Sequence, residues 1–198
     1  RRCFVGRVKH HRAVQPASNA LLARVIVIRD HAGVSSRPRD GHGLSRHGDR
    51  RCIRAVIGRE ELKSLKESTL LTFFAICAKW GLKEGTSYTY NETKGTIVFH
   101  KSGSIVFLKE LKWLPADPNF DRLGSTEYTI AFIDEAQQVR QKAKEVLLSR
   151  LRYKISKYGL IPKLLMTCNP SKGWLYTEFY LPFKKGTLVA GKRFLRSL

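Results

Sequence analysis

The sequence lacks closely spaced cysteines, long apolar stretches and a normal share of acidic residues. It has four cysteines, Cys3, Cys52, Cys77 and Cys168. Because no two of them form a CxxC pair, the sequence indicates neither a zinc site nor a disulfide framework, and we expect a reducing compartment. The longest apolar runs, residues 21–28 and 70–78, have half or less of the roughly 20 residues that a membrane-spanning helix needs. We therefore expect no membrane association.

The shortage of acidic residues leaves the chain strongly basic. Lys and Arg together number 37, against 16 Asp and Glu, which gives a formal net charge of +21. Such an excess suits a surface that faces phosphates, because the release of counterions supplies most of the non-specific affinity for nucleic acids. Charge alone does not identify a function, and 198 residues are enough for one domain with a core, or a little more.

Composition changes abruptly near residue 57. Residues 1–57 contain twelve Arg, one Lys, five of the six His and no Glu, whereas residues 58–198 contain seven Arg and seventeen Lys. Apart from a possible strand at 23–29, the first segment has no helical or strand periodicity. Two explanations stay open: a disordered basic arm that binds nucleic acid, or a segment translated out of frame. We expect residues 58–198 to form the folded domain, and the chain to be a fragment of something longer.

The second segment has regular patterns of apolar residues. A short strand ends at Gly58, and a helix follows to Gly81. Three β-rich runs separated by turn residues predict a small antiparallel meander, at 86–90, 95–100 and 104–109. An apolar strand, a helix and a second apolar strand come next, at 127–133, 137–155 and 162–170. Because both strands are apolar on both faces, this order predicts an α/β fold with a parallel sheet.

Polar residues follow these two apolar strands. Asp134 and Glu135 end the first, and Thr167 and Asn169 lie at the end of the second. The carboxyl ends of parallel strands open onto a ligand crevice, and two adjacent carboxylates repel each other unless a cation or ordered water lies between them. Phosphoryl transfer to water uses such a pair. One acid anchors Mg²⁺, and the other orients or deprotonates the attacking water.

A structural interpretation of the same residues is also open. An Asp-Glu pair after a strand often begins a helix, where a carboxylate caps free N–H groups and interacts with the helix dipole. The second polar strand end, reached across one helix, favours the catalytic interpretation.

Three segments together resemble the ATPase domain of the large terminase subunits of tailed bacteriophages. "FIDEA" (132–136) resembles their Walker B motif with its catalytic glutamate, and "TCNP" (167–170) resembles their coupling motif. "GREELKSLKESTL" (58–70) resembles the segment after their second strand, where an Arg commonly leads into a helix. The resemblance covers about residues 56–198. It implies a RecA-like P-loop NTPase core, here incomplete, in which helices flank a parallel sheet that carries the antiparallel β-meander as an insertion.

The resemblance also implies a function and its components. It implies an ATPase that drives double-stranded viral DNA into the procapsid, with ATP and Mg²⁺ as cofactors. The expected partners are DNA, the portal protein, the small terminase subunit and further copies in a ring, in the host cytoplasm. Glu135 would be catalytic, Asp134 would hold the metal, and Thr167 and Asn169 would sense the γ-phosphate. The arginine that completes a neighbour's site stays open among four candidates, Arg59, Arg122, Arg150 and Arg152.

The sequence departs from the family in two respects. Residues 1–57 contain no GxxxxGK[ST] phosphate loop. Residues 43–50 and 186–193 match its glycine spacing but not its other residues, and the nuclease domain that such proteins usually carry is absent. We therefore expect half of an ATP site, with weak hydrolysis or none. The alternatives are a basic nucleic-acid-binding module without catalysis and a decayed prophage remnant.

Overall fold

An eight-stranded mixed sheet forms the centre of the computed structural model, which describes residues 3–6 and 52–196. The predicted strand at 23–29 lies outside these residues. The strands are β1 (Cys3–Gly6), β2 (Arg54–Arg59), β3 (Tyr88–Asn91), β4 (Thr96–Phe99), β5 (Ile105–Glu110), β6 (Ile130–Ile133), β7 (Lys163–Cys168) and β8 (Phe194–Arg196). Their order across the sheet is β3-β4-β5-β2-β6-β7-β1-β8.

Four neighbouring strands in the middle of the sheet, β5, β2, β6 and β7, run parallel. Every residue of β6 is buried, as are the four central residues of β2 and the last five of β7. Burial on both faces explains why these strands are continuous apolar runs in the sequence. The predicted parallel sheet is therefore confirmed, and β2 extends across the compositional boundary at residue 57.

The predicted antiparallel meander is β3, β4 and β5. Its last strand also pairs in parallel with β2, so that Val56 lies opposite Phe107. The meander is therefore continuous with the parallel sheet, because β5 belongs to both.

Helices cover the two faces of the sheet. They are α1 (residues 62–79, π-helical over Leu65–Leu70 and α-helical over Leu62–Ser64 and Leu71–Lys79), α2 (Asp121–Gly124), α3 (Gln141–Ser149), α4 (Ile155–Tyr158) and α5 (residues 176–184, π-helical over Tyr176–Tyr180). The single helix predicted at 137–155 is wrong in its bounds. Residues 134–139 form turns, and Lys154 has a left-handed φ of 50°, which separates α3 from α4.

Alternation along the strands divides the core into two layers. Phe132 points to the layer that contains Leu65 and Phe73 of α1, whereas Ala131 points to the layer that contains Leu147 of α3 and Phe179 of α5. Within residues 3–6 and 52–196, no helix has the length and apolar character that a bilayer crossing requires.

The α1 layer buries a thiol, and this has a measurable consequence. Burial raises the pKa of Cys77 to about 12, so that roughly one molecule in ten thousand carries the thiolate at pH 8. Cys52 is partly exposed, with its Sγ 3.0 Å from the Gly103 carbonyl oxygen. We expect iodoacetamide to alkylate Cys52 in the folded protein and to spare Cys77 until urea is added, as peptide mass mapping would show. Equal labelling of both thiols under native conditions would contradict this packing.

Candidate functional site

Three neighbouring parallel strands bring polar side chains to one edge of the sheet. Arg59 ends β2, Asp134 directly follows β6, and Thr167 is the next-to-last residue of β7. The Asp134 N–H donates a hydrogen bond of 2.9 Å to the carbonyl oxygen of Gly58, which extends the β6–β2 ladder by one residue. The sequence predicted this edge, because parallel strands end on the same side of a sheet.

Gly58 leaves room beneath this edge for another side chain. A Cβ placed on Gly58 would lie 2.6 Å from Cδ1 of Leu111, which is closer than carbon atoms pack. The Leu111 side chain is buried and occupies the space that a side chain at position 58 would need.

Hydroxyl groups fix the Asp134 carboxylate. Its Oδ1 accepts a short hydrogen bond from the Thr167 hydroxyl, and its Oδ2 accepts one of 2.6 Å from the Thr69 hydroxyl of α1. The Thr167 oxygen also accepts the backbone N–H of Glu135 at 3.1 Å. Asp134 is buried, with 8% of its surface exposed. Two hydroxyl donors therefore hold one orientation of this carboxylate.

Neither carboxylate caps a helix. The next helix, α3, begins at Gln141, and residues 134–139 form turns. The helix-capping interpretation of the acidic pair is therefore wrong, because the nearest free helical N–H groups lie several residues further along the chain.

Glu135 adopts a strained backbone conformation. Its φ is 49°, in the left-handed region that residues other than glycine seldom occupy and that costs on the order of 1 kcal/mol. The backbone N–H of Ala136 donates to the Thr167 carbonyl oxygen at 2.7 Å and holds the turn in place. Strain of this kind persists only where surrounding contacts enforce it, and here β7 provides them.

Arg59 neutralises the acidic pair within the same chain. Its Nη2 lies 2.6 Å from Oε2 of Glu135, and its Nη1 lies 3.8 Å from Oδ2 of Asp134. Nη1 also bonds the Ser64 carbonyl oxygen and the Ser68 hydroxyl of α1. The buried Nε has no hydrogen-bond partner. The guanidinium offsets the repulsion between the adjacent carboxylates and leaves one donor unused.

The other three arginine candidates lie in local contacts elsewhere. Arg122 pairs with Asp117, and Arg152 pairs with Glu127. The Arg150 guanidinium lies beside Gly124. Among these four, only Arg59 contacts the acidic pair of its own chain.

Asn169 is placed differently from the sequence expectation. Its side chain is exposed, and its backbone N–H donates to Oε1 of Gln137 at 3.1 Å. Within the described part of the chain, its amide makes no hydrogen bond to either carboxylate. The sequence analysis also missed Thr69, which lies in the otherwise helical pattern of α1. No periodicity in the sequence identifies Thr69 as a site residue.

The oxygen atoms at this edge suit magnesium on one side. Mg²⁺ prefers oxygen ligands, keeps several waters and uses one or two carboxylates together with substrate phosphates. Asp134 and Glu135 supply the carboxylates, and the unpartnered Nε of Arg59 is a donor without an acceptor. Among the described residues, no three His, Cys, Asp or Glu side chains cluster as a metal cage. The donor set therefore fits a metal that arrives with a nucleotide.

A phosphate-holding loop is not formed by the near-match at 186–193. This segment leads from α5 to β8, whereas a phosphate loop leads from a strand into a helix. Its Lys192 lies 2.9 Å from Oε1 of Glu178. The other near-match, 43–50, lies outside the described residues.

Comparisons with known proteins concern the fold. No protein-family model matches the sequence, and no curated protein sequence matches it significantly. Three structures of the large terminase from a thermophilic bacteriophage superpose on the chain, with TM-scores of 0.54, 0.52 in complex with ADP and 0.50 in complex with ATP-γ-S. Their identities to the chain are 14%, 13% and 12%.

Each of these superpositions covers 70% of this chain but only 32%, 31% and 30% of the terminase. The chain thus spans about a third of the length of these proteins. The predicted RecA-like α/β fold and its resemblance to large terminases are confirmed at the level of the fold.

Proposed function

We propose that this chain is part of the ATPase unit of a terminase-like DNA-packaging motor. The observation that carries the proposal is the arrangement of the two carboxylates. Asp134 is held by two hydroxyls and Glu135 by a strained turn, at the edge where the carboxyl ends of β2, β6 and β7 meet. The fold similarity to a terminase that was crystallised with ADP and with ATP-γ-S supports a nucleotide as the ligand.

The two carboxylates have different roles in this proposal. Bound Mg²⁺ would neutralise the charge on the β- and γ-phosphates. Asp134, oriented by Thr69 and Thr167, would hold the metal together with its waters. Glu135 would orient the attacking water and accept its proton.

Arg59 sets a condition on this chemistry. A carboxylate that is held by a guanidinium is a poor base, because the positive charge stabilises its ionised form. With Oε2 of Glu135 at 2.6 Å from Arg59 Nη2, the conformation seen here keeps Glu135 from accepting a proton. Hydrolysis would therefore require this ion pair to open.

The finer parts of the proposal rest on the family resemblance. They are translocation of double-stranded viral DNA, assembly as a ring on the portal protein with the small terminase subunit, and action in the host cytoplasm. A phosphate-holding side must complete the site, so weak hydrolysis or none is expected of this chain alone.

Nucleotide binding tests the proposal directly. We expect Asp134→Asn to weaken Mg²⁺-dependent binding of a fluorescent ATP analogue by about tenfold, or about 1.4 kcal/mol, because the metal loses a charged ligand. Asp117→Asn is the matched control, since Asp117 pairs with Arg122 away from the site. EDTA should abolish the difference between Asp134→Asn and the unaltered chain. Equal affinities in Mg²⁺ would refute the metal role, and an absence of nucleotide binding with DNA binding intact would favour the non-catalytic module.

A further inference from the structure

A group of cations and tyrosines lies at the sheet edge opposite the acidic pair. We call Arg54, Tyr153, Lys154, Lys157 and Tyr158 the basic tyrosine cluster. Arg54 begins β2, the strand that Arg59 ends, so about 17 Å of strand separates the cluster from the candidate nucleotide site. The cluster therefore takes no part in the chemistry proposed above.

The cations of this cluster pack on the tyrosine rings. The Arg54 guanidinium carbon lies 4.2 Å from the centre of the Tyr153 ring. The Lys154 Nζ lies 5.1 Å from the Tyr153 ring and 5.8 Å from the Tyr158 ring, and the Lys157 Nζ lies 5.5 Å from the Tyr158 ring. Cations within about 6 Å of a ring centre are attracted by its π-electrons. Two rings thus hold three positive charges.

The counter-charges of this cluster differ from those at other basic positions. Lys66, Lys112 and Arg122 each form an ion pair with a carboxylate. Within the described residues, no carboxylate forms an ion pair with Arg54 or Lys154. A hydrogen bond with the Tyr153 hydroxyl raises the pKa of Lys154 and keeps it charged. Like charges brought together in this way create a positive potential that an added anion would lower.

Backbone contacts hold the cluster in one arrangement. The Thr129 hydroxyl donates to the Tyr153 carbonyl oxygen and accepts the Arg54 N–H, each at 3.2 Å. The Tyr153 N–H donates to the Tyr128 carbonyl oxygen at 2.9 Å. Lys154 keeps its left-handed φ of 50°, a conformation that only surrounding contacts maintain. The cations are therefore positioned before any ligand binds.

We propose that the basic tyrosine cluster binds the phosphodiester backbone of duplex DNA at a site separate from the nucleotide site. Phosphate contacts position a protein on DNA without reading its sequence, and no base edge needs to be reached here. The tyrosine rings already hold cations, which disfavours base stacking as the mode of binding. The choice of DNA as the polyanion rests on the proposed function, whereas the phosphate-binding chemistry does not.

The salt dependence of DNA binding tests this site in the full chain. The test variant is Arg54→Gln/Lys154→Asn/Lys157→Gln, in which Asn is chosen at 154 because it tolerates a left-handed φ. The control variant, Lys83→Gln/Lys94→Gln/Lys101→Gln, removes the same charge from exposed positions in and beside the meander. The probe is a labelled random-sequence duplex of about 20 base pairs, titrated by fluorescence anisotropy between about 50 and 200 mM KCl.

The two variants are expected to differ in slope. Each lost phosphate contact lowers the slope of log Kobs against log[salt] by about 0.9, so the test variant should lose about 2 to 3 and the control less than about 1. Equal slopes in the test and control variants would overturn the proposal. If circular dichroism shows that the triple variant is unfolded, Lys157→Gln compared with Lys101→Gln decides, with an expected loss of about 0.9 for the first only.

Failure of this site is distinguishable from failure of the proposed nucleotide site. Asp134→Asn should leave the DNA salt slope unchanged and reduce nucleotide binding. The triple variant should leave nucleotide binding unchanged and reduce the slope. A preference of the cluster for inorganic triphosphate over the duplex, seen as full competition at equal phosphate concentration, would overturn DNA as its ligand.

Discussion

Glu135→Gln should lower ATP hydrolysis by at least about 100-fold in a chain supplied with a phosphate loop, while nucleotide affinity changes by less than about twofold. Glutamine keeps the size of the side chain but cannot accept the proton of the attacking water. A well-placed general base contributes about 10² to 10⁴ to the rate, which sets the expected loss. Phosphate release with malachite green measures the rate, and the fluorescent nucleotide measures affinity.

The control for this substitution is Glu127→Gln. Glu127 pairs with Arg152 on the surface, so the control removes the same charge and one Arg partner away from the site. An unchanged rate in Glu135→Gln would exclude Glu135 as the base. Brisk Glu135-dependent hydrolysis by the unaltered chain would instead show that a phosphate-holding side is present and that the half-site expectation is wrong.

Glu178→Gln should destabilise the folded chain by about 3 to 5 kcal/mol at pH 7, because it leaves a buried lysine without its counter-charge. Lys144 has a side chain that is only 4% exposed, and its Nζ lies 2.9 and 2.7 Å from the two oxygens of Glu178. Lys192 contacts the same carboxylate at 2.9 Å. Urea unfolding followed by circular dichroism measures the change. Glu127→Gln, which breaks a surface ion pair, should cost about 0 to 1 kcal/mol.

The same carboxylate predicts a pH dependence. Burial alone would raise the pKa of Glu178, but the hydrogen bonds and charges of Lys144 and Lys192 outweigh it and hold the pKa below 4.5. A carboxyl whose pKa is lower in the folded state stabilises the fold above its unfolded pKa and loses this effect as pH falls through the folded value. The difference between the unaltered chain and Glu178→Gln should therefore shrink below about pH 4.5. A difference that is constant down to pH 2 would contradict the ion pair.

A double variant separates the ion pair from simple packing. Lys144→Met/Glu178→Leu replaces the buried pair by apolar side chains of similar size, and such replacements are often neutral or stabilising. We expect this double variant to be more stable than Glu178→Gln. Equal instability of the two would show that the shape of the side chains, and not the unpaired charge, determines the loss.

The sequence predicted the sheet and half of the site. The strands β6 and β7 are buried on both faces, so they are legible as apolar runs, and the first polar residues after such runs must lie at the sheet edge. This placed Asp134 and Thr167 at one edge. The meander was legible for a different reason, since turn residues separate its strands.

The rest depends on contacts between residues that are distant in the sequence. Thr69 is 65 residues from Asp134, and Arg59 is 76 residues from Glu135. No local pattern encodes either contact. The late start of α3 has the same origin, because hydrogen bonds from Glu135 and Ala136 to Thr167 hold turns where the local pattern favours a helix.

The contact between Gly58 and Leu111 restricts how this protein could diverge. A methyl group at position 58 and a leucine at position 111 cannot occupy the same space, since the two would approach to 2.6 Å. Natural variants with alanine or serine at 58 are therefore expected to carry a smaller residue at 111. An alignment of related chains would show the two columns changing together, and through the Gly58 carbonyl this covariation would extend to the floor of the site beneath Asp134.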